Sequence, residues 1–179
     1  MFLSEALDQT VKKLKAHAAN FVTLLNLSLG GFAIVSVLHN QPHQALLFIF
    51  IAALTDRFDG MVARKLNVES DLGKQLDSMS DIVSFGVAPA VLMYYAALQS
   101  LGVVGAFFMI FYIGCSAYRL ARFNITDNAG YFTGLPITAA GCLVTLSYLA
   151  IPHVPVGIIL TTMILMSLLM VSPFTIKKV

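Results

Sequence analysis

Apolar positions along the chain gather into long stretches separated by short polar connectors, and this alternation predicts its elements. The stretches cover about residues 20–38, 44–64, 74–98, 101–122, 133–151 and 154–172. Each is close to the roughly 20 residues that a helix needs to cross hydrocarbon at about 1.5 Å per residue. The connectors, His39–His43, Leu66–Gly73, Gln99–Leu101, Asn124–Phe132 and Pro152–Pro155, contain histidine, asparagine, glycine, glutamine or proline, residue types that punctuate helices. Ahead of the first stretch, residues 2–16 place Phe2, Leu3, Leu7, Val11 and Leu14 at spacings near three and four, with Lys12, Lys13 and Lys15 beside them. That pattern predicts a short helix lying at the headgroup level. The expected architecture is all-α: an N-terminal amphipathic juxtamembrane helix over residues 1–18, then six transmembrane helices over residues 19–179. Continuous apolar runs of this length exclude barrel strands, which alternate over about 10 residues.

Composition strengthens the membrane reading. Of the 179 residues, 58% are hydrophobic and only 11% charged, against about 25% charged in a soluble domain. The net charge of +2, without a basic run interleaved with aromatics, argues against a nucleic-acid partner. Placement of the charges says more. All eleven Lys and Arg residues fall at span ends that an N-in, C-in arrangement puts on one side, and loops 39–43, 99–101 and 152–155 contain none. The positive-inside rule then places both termini and the charged ends in the cytoplasm, with the protein multi-pass in the cell (inner) membrane. The nine acidic residues follow the same partition, so one end of the bundle is chemically equipped. Cys115 and Cys142 lie inside apolar stretches and read as small buried side chains. The four histidines show no metal-ligand spacing and read as interface residues.

The informative segment runs from Asp56 to Asp81. On a helix, Asp56, Asp59, Gly60 and Ala63 share one face, and Asp77 and Asp81 stand one turn apart on the next span with Gly73 a turn before them. Acidic side chains at the centre of a span cost roughly 2.5–3.5 kcal/mol each, so four carboxylates on facing helices call for cations. Hard divalent ions with oxygen preference, Mg²⁺ or Mn²⁺, suit them. Two such ions clamp a phosphate or pyrophosphate. The residues by themselves reach a divalent-metal site at the membrane interface for a phosphate-containing ligand.

The same segment resembles a known family. The spacing D-x2-D-G-x2-A-R-x8-G-x3-D-x3-D is met by Asp56, Asp59, Gly60, Ala63, Arg64, Gly73, Asp77 and Asp81, and it is the signature of the CDP-alcohol phosphatidyltransferases. The stretches LDSMSDIVSFGVAPA, YRLARFN, FTGLPITAAG and NFVTLLNLSLGGFAI extend the likeness toward the bacterial CDP-diacylglycerol–serine phosphatidyltransferases. The resemblance implies two divalent cations held by Asp56, Asp59, Asp77 and Asp81, with Asp81 also the general base. It implies CDP-lipid binding by Asp56, Gly60, Ala63, Arg64, Ser70 and Gly73, and by Asn20 and Thr23 at the start of the first span, where Ala19 stands in place of the family's proline. It also implies a homodimer.

The implied reaction suits the residues. A serine hydroxyl is a poor nucleophile until a carboxylate within reach takes its proton, after which it attacks the phosphorus bearing the diacylglycerol and CMP leaves. Arg119, Arg122 and Asn124 are the expected partners of the carboxylate of L-serine, since arginine binds such a group bidentately. Phosphate-bearing acceptors such as glycerol 3-phosphate or an inositol phosphate would want similar cations and stay open at this point. A metal-ion or solute transporter is the competing class, because intramembrane acids also mark ion pathways. Against it, the charges collect at one end and trace no route across.

Overall fold

The computed structural model describes the backbone of residues 2–66, 71–126, 131–173 and 175–177, and side chains within 20–58, 72–125 and 134–173. Helix α1, Phe2–Leu38, is continuous, so no turn separates the stretch read as a juxtamembrane helix from the first apolar rod; the side chains of that stretch lie outside the described residues. The helix stops where Asn40 takes φ 56°, a left-handed conformation that asparagine tolerates. His39 Nδ1 lies 2.9 Å from the Val35 carbonyl, occupying one of the acceptors that a helix end leaves open. Pro42 then opens α2, Pro42–Leu66, at the position where a missing N–H costs nothing.

The third rod joins α3, Asp71–Asp81, a π-helical turn, Ile82–Val87, and α4, Ala88–Ala96. The irregularity falls just before Pro89. Proline has no N–H to donate, so the preceding turn widens, and the Ala88 N–H reaches back five residues to the Val83 carbonyl. The Phe85 carbonyl, four residues before the proline, accepts instead from the buried Tyr112 hydroxyl at 3.2 Å. A 3-10 turn, Leu98–Leu101, leads to α5, Val103–Thr126. After it come β1, Tyr131–Thr133, then α6, Ile137–Ser147, prolonged by a 3-10 turn, Tyr148–His153. The chain closes with α7, Val156–Val171, and β2, Thr175–Lys177, which pairs antiparallel with β1, Phe132 opposite Ile176.

Among the described residues, the helices form six rods of alternating direction, and their contacts sort by end. At one end Ser80 Oγ donates to the Thr23 carbonyl at 3.2 Å, and Ser78 and Asn124 bond side chain to side chain. At the other, the His43 and Tyr148 rings meet edge to face at 5.4 Å. The second end carries the turns at residues 39–41, 97–102 and 154–155, and none of these holds a Lys, Arg, Asp or Glu. Among the described residues, three segments are long and apolar enough to cross a membrane: Asn20–Leu38, Leu72–Ala96 and Val103–Ile125; Ile137–His153 and Val156–Val171 are shorter apolar helices. Phe21, Phe32, Phe58, Phe107, Ile110 and Leu168 point outward. Water would expel an apolar exterior of this extent, whereas hydrocarbon accepts it. The molecule is a helical membrane protein.

Small residues set the rod spacing. Ala33, Ala45 and Ala52 are fully buried in the core with Val37 and Ile49. A β-carbon on Gly30 would lie 2.5 Å from Ser84 Oγ and 2.8 Å from Ser84 Cα, and one on Gly141 would lie 2.7 Å from the Phe85 carbonyl oxygen. These two glycines are close-approach points, as is Gly105, whereas Gly31, Gly102 and Gly114 have nothing within 4 Å of a would-be β-carbon.

Candidate active site

Helix α2 carries Asp56 in its second half, and α3 ends on Asp77 and Asp81, one turn apart. The two segments come together so that one carboxylate oxygen from each of Asp56, Asp77 and Asp81 lies within 4.8 Å of the others. Asp56 and Asp77 are half-buried and Asp81 is buried, with 9% of its surface exposed. Asp56 and Asp77 are the negative neighbours of Asp81, and buried Arg119 is its positive one. One oxygen of Asp81, Oδ1, has no hydrogen-bond partner among the described residues. Three convergent oxygens, one of them buried and unpartnered, are a donor set that fits a hard divalent cation.

The surrounding contacts explain why the acids meet. On the α1 side, Ser80 donates to the Thr23 carbonyl at 3.2 Å and Ser84 to the Asn26 carbonyl at 3.0 Å, clamping the Asp81 turn against the first rod. From α6, the Thr138 hydroxyl donates to Asp56 Oδ2 at 3.4 Å. That helix start is itself anchored. Gly134, at φ 74°, packs against the Met170 carbonyl where a β-carbon would lie 2.5 Å away, and the Leu135 N–H donates to the Leu169 carbonyl at 3.1 Å. Arg122 completes the junction, donating from its two terminal nitrogens to the Val171 and Ser172 carbonyls at 2.9 and 3.0 Å. These are the acceptors that the end of α7 leaves open.

The residues expected from the sequence thus take different places. Asp56, Asp77 and Asp81 converge. Asp59, Gly60, Ala63 and Arg64 lie on the unbroken last turns of α2, with side chains outside the described set, and Ser70 lies outside the described residues altogether. Gly73 is half-buried in the first turn of α3, Asn20 is half-buried and Thr23 is buried at the facing part of α1. Arg119 is 7% exposed, with its guanidinium carbon 5.3 Å from the centre of the Phe123 ring. Asn124 is exposed and bonds to Ser78, the neighbour of Asp77, at 3.0 Å through Nδ2. Sequence reading did not single out Thr138 or Asn26. The signal for both was a polar side chain inside an apolar stretch, Thr138 two residues after Pro136 and Asn26 two turns into the first span.

The family model for the CDP-alcohol phosphatidyltransferases matches residues 16–174. The chain belongs to that family. It is 46% identical over 129 residues to a CDP-diacylglycerol–serine O-phosphatidyltransferase of Bacillus subtilis, covering 71% of this chain and 73% of the relative. A protein of the same name from Methanocaldococcus jannaschii is 42% identical over 125 residues, covering 70% of this chain and 57% of the relative. An archaetidylserine synthase of Methanothermobacter thermautotrophicus is 36% identical over 147 residues, covering 77% and 61%. The chain therefore spans most of the Bacillus relative and about three-fifths of the archaeal ones.

Proposed function

We propose that this phosphatidyltransferase moves the phosphatidyl group of CDP-diacylglycerol to the hydroxyl of L-serine, releasing CMP and leaving phosphatidylserine in the membrane. The observation that carries the proposal is the convergence of Asp56, Asp77 and Asp81 within the segment that bears the family signature. The names of the relatives supply the acceptor. Asp56, Asp59, Asp77 and Asp81 would hold two divalent cations, Mg²⁺ or Mn²⁺, which when bound offset negative charge on the phosphate oxygens. Asp81 takes the proton of the acceptor hydroxyl as it attacks phosphorus, a role supported by its burial and its free oxygen.

The remaining assignments follow the same plan. The CDP-lipid lies along α2 past Gly60 and Ala63, with Arg64 and Ser70 at its phosphates and Asn20, Thr23 and Gly73 at the facing helix ends. Arg119 receives the serine carboxylate, supported by its burial and its electrostatic contact with Asp81. Arg122 and Asn124 serve the acceptor by holding the α7 end and α3 in place, supported by their hydrogen bonds there. The rods cross the cell membrane six times with the acidic end toward the cytoplasm, supported by the collection of basic residues at that end. A homodimer is the assembly the resemblance supports, and the mass of the protein in nanodiscs measures it.

The deciding experiment gives purified protein CDP-diacylglycerol, labelled serine and Mn²⁺ or Mg²⁺. CMP release with label entering phosphatidylserine is expected. Inertness toward serine with turnover of glycerol 3-phosphate overturns the acceptor, and metal flux in sealed vesicles without CMP release overturns the reaction.

A further inference from the structure

We propose that Asn26 of α1 is a substrate-binding residue of this enzyme and that its carboxamide recognises the ammonium and carboxylate of the acceptor amino acid. Asn26 is 1% exposed, and neither its Nδ2 nor its Oδ1 has a hydrogen-bond partner among the described residues. Buried amides are nearly always paired, and an unpaired one lowers stability, whereas leucine, close in volume, would fill the space without that penalty. Among the described residues, the fold spends neither polar atom of this side chain on a hydrogen bond. Its backbone is used: the Asn26 carbonyl accepts from Ser84 Oγ at 3.0 Å, and Gly30, one turn on, lets α1 approach Ser84 closely. The carboxamide is therefore held in a rigid part of the bundle with its hydrogen-bonding capacity unspent.

Its position selects the ligand. Four buried polar side-chain atoms lack partners among the described residues, and they belong to three residues: both amide atoms of Asn26, Oδ1 of Asp81 and Nε of Arg119. Asp81 stands between Ser80, which bonds to the Thr23 carbonyl, and Ser84, which bonds to that of Asn26, so Asn26 lies one turn deeper in the bundle than Thr23, on the stretch of α1 that faces the turn bearing the proposed base. The nucleotide is assigned to the last turns of α2, on the opposite, cytoplasmic side of Asp56. The acceptor hydroxyl has to reach Asp81, and its ammonium and carboxylate are assigned to this deeper side, where the unpartnered amide stands. An α-amino acid presents a donor, its ammonium, next to an acceptor, its carboxylate, and a carboxamide offers the complement, a carbonyl beside an NH₂. Glycerol 3-phosphate has no ammonium to place there.

This inference rests on the functional reading above, and the test separates the two. Full-length wild type, Asn26→Leu and Asn26→Ser are assayed in nanodiscs containing CDP-diacylglycerol, measuring kcat, the KM for serine, the KM for the CDP-lipid and Tm. Asn26→Leu is expected to raise the serine KM about tenfold or more, to leave the CDP-lipid KM within about twofold, and to keep or raise Tm. Asn26→Ser, which leaves a small polar side chain and keeps folding measurable if leucine does not fit, should show the same split. A lower Tm with serine KM unmoved marks an amide satisfied by buried water and overturns the assignment. So does a rise confined to the CDP-lipid KM. A wild type inert toward serine overturns the functional reading itself; an active wild type with unmoved serine KM in both variants overturns the Asn26 assignment alone.

Discussion

Gly30→Ala tests whether the site depends on how closely α1 approaches the turn after Asp81. The new β-carbon would stand 2.8 Å from Ser84 Cα and 3.0 Å from Ser84 N, whereas carbon atoms rest at about 3.5–4.0 Å. The obstruction includes backbone, so no rotamer change relieves it, and the two rods must separate by up to about 1 Å. Overpacking of this kind costs about 1–3 kcal/mol. The larger effect should be functional, because the Ser84–Asn26 and Ser80–Thr23 bonds that seat the Asp81 turn stretch with it, and a misplacement of about 1 Å costs on the order of 10²-fold in rate. The assay is CMP release from CDP-diacylglycerol and serine, with Tm followed in the same detergent. Gly31→Ala is the control: nothing lies within 4 Å of its β-carbon, so activity should stay near wild type and stability should hold or gain a little from helix propensity. A Gly30→Ala protein with wild-type turnover and Tm would refute the reasoning.

Other substitutions separate the roles around the acids. Asp81→Asn should lower kcat about 10²–10⁴-fold in the CMP-release assay, the range for removing a general base, while the CDP-lipid still binds by equilibrium titration. Thr138→Val removes the hydroxyl that donates to Asp56 Oδ2 and should raise the Mn²⁺ concentration needed for half-maximal activity about 10–100-fold, with Thr138→Ser restoring it. Tyr112→Phe leaves the Phe85 carbonyl without its donor and should lower stability by about 1–3 kcal/mol, read as Tm, with the KM for serine unchanged. Arg122→Met frees the Val171 and Ser172 carbonyls; Tm should fall, and the fall should persist without substrate, as befits a residue that holds the α7 end.

Much of the molecule was legible along the chain, because hydrocarbon imposes a one-dimensional rule. A rod that crosses it must be apolar for about 20 residues, so the helical rods, their connectors and the clustering of charge at one end followed from local composition, and three described segments are long and apolar enough to cross. The signature acids were legible for a similar reason: spacings of three and four fix a helix face whatever else the fold does. Local pattern stopped where position depends on a second segment. That a β-carbon on Gly30 would meet Ser84 while one on Gly31 would meet open space, that Pro89 hands the Phe85 carbonyl to Tyr112, and that Arg122 spends its terminal nitrogens on the end of α7 are facts about pairs of residues far apart in sequence. Thr138 reaches Asp56 across 82 positions. The sequence determined which chemistry-bearing residues the protein contains and that they collect at one end of its apolar rods. Only tertiary packing decided which of these groups meet, because a helix determines the direction of its side chains but not the neighbour they face.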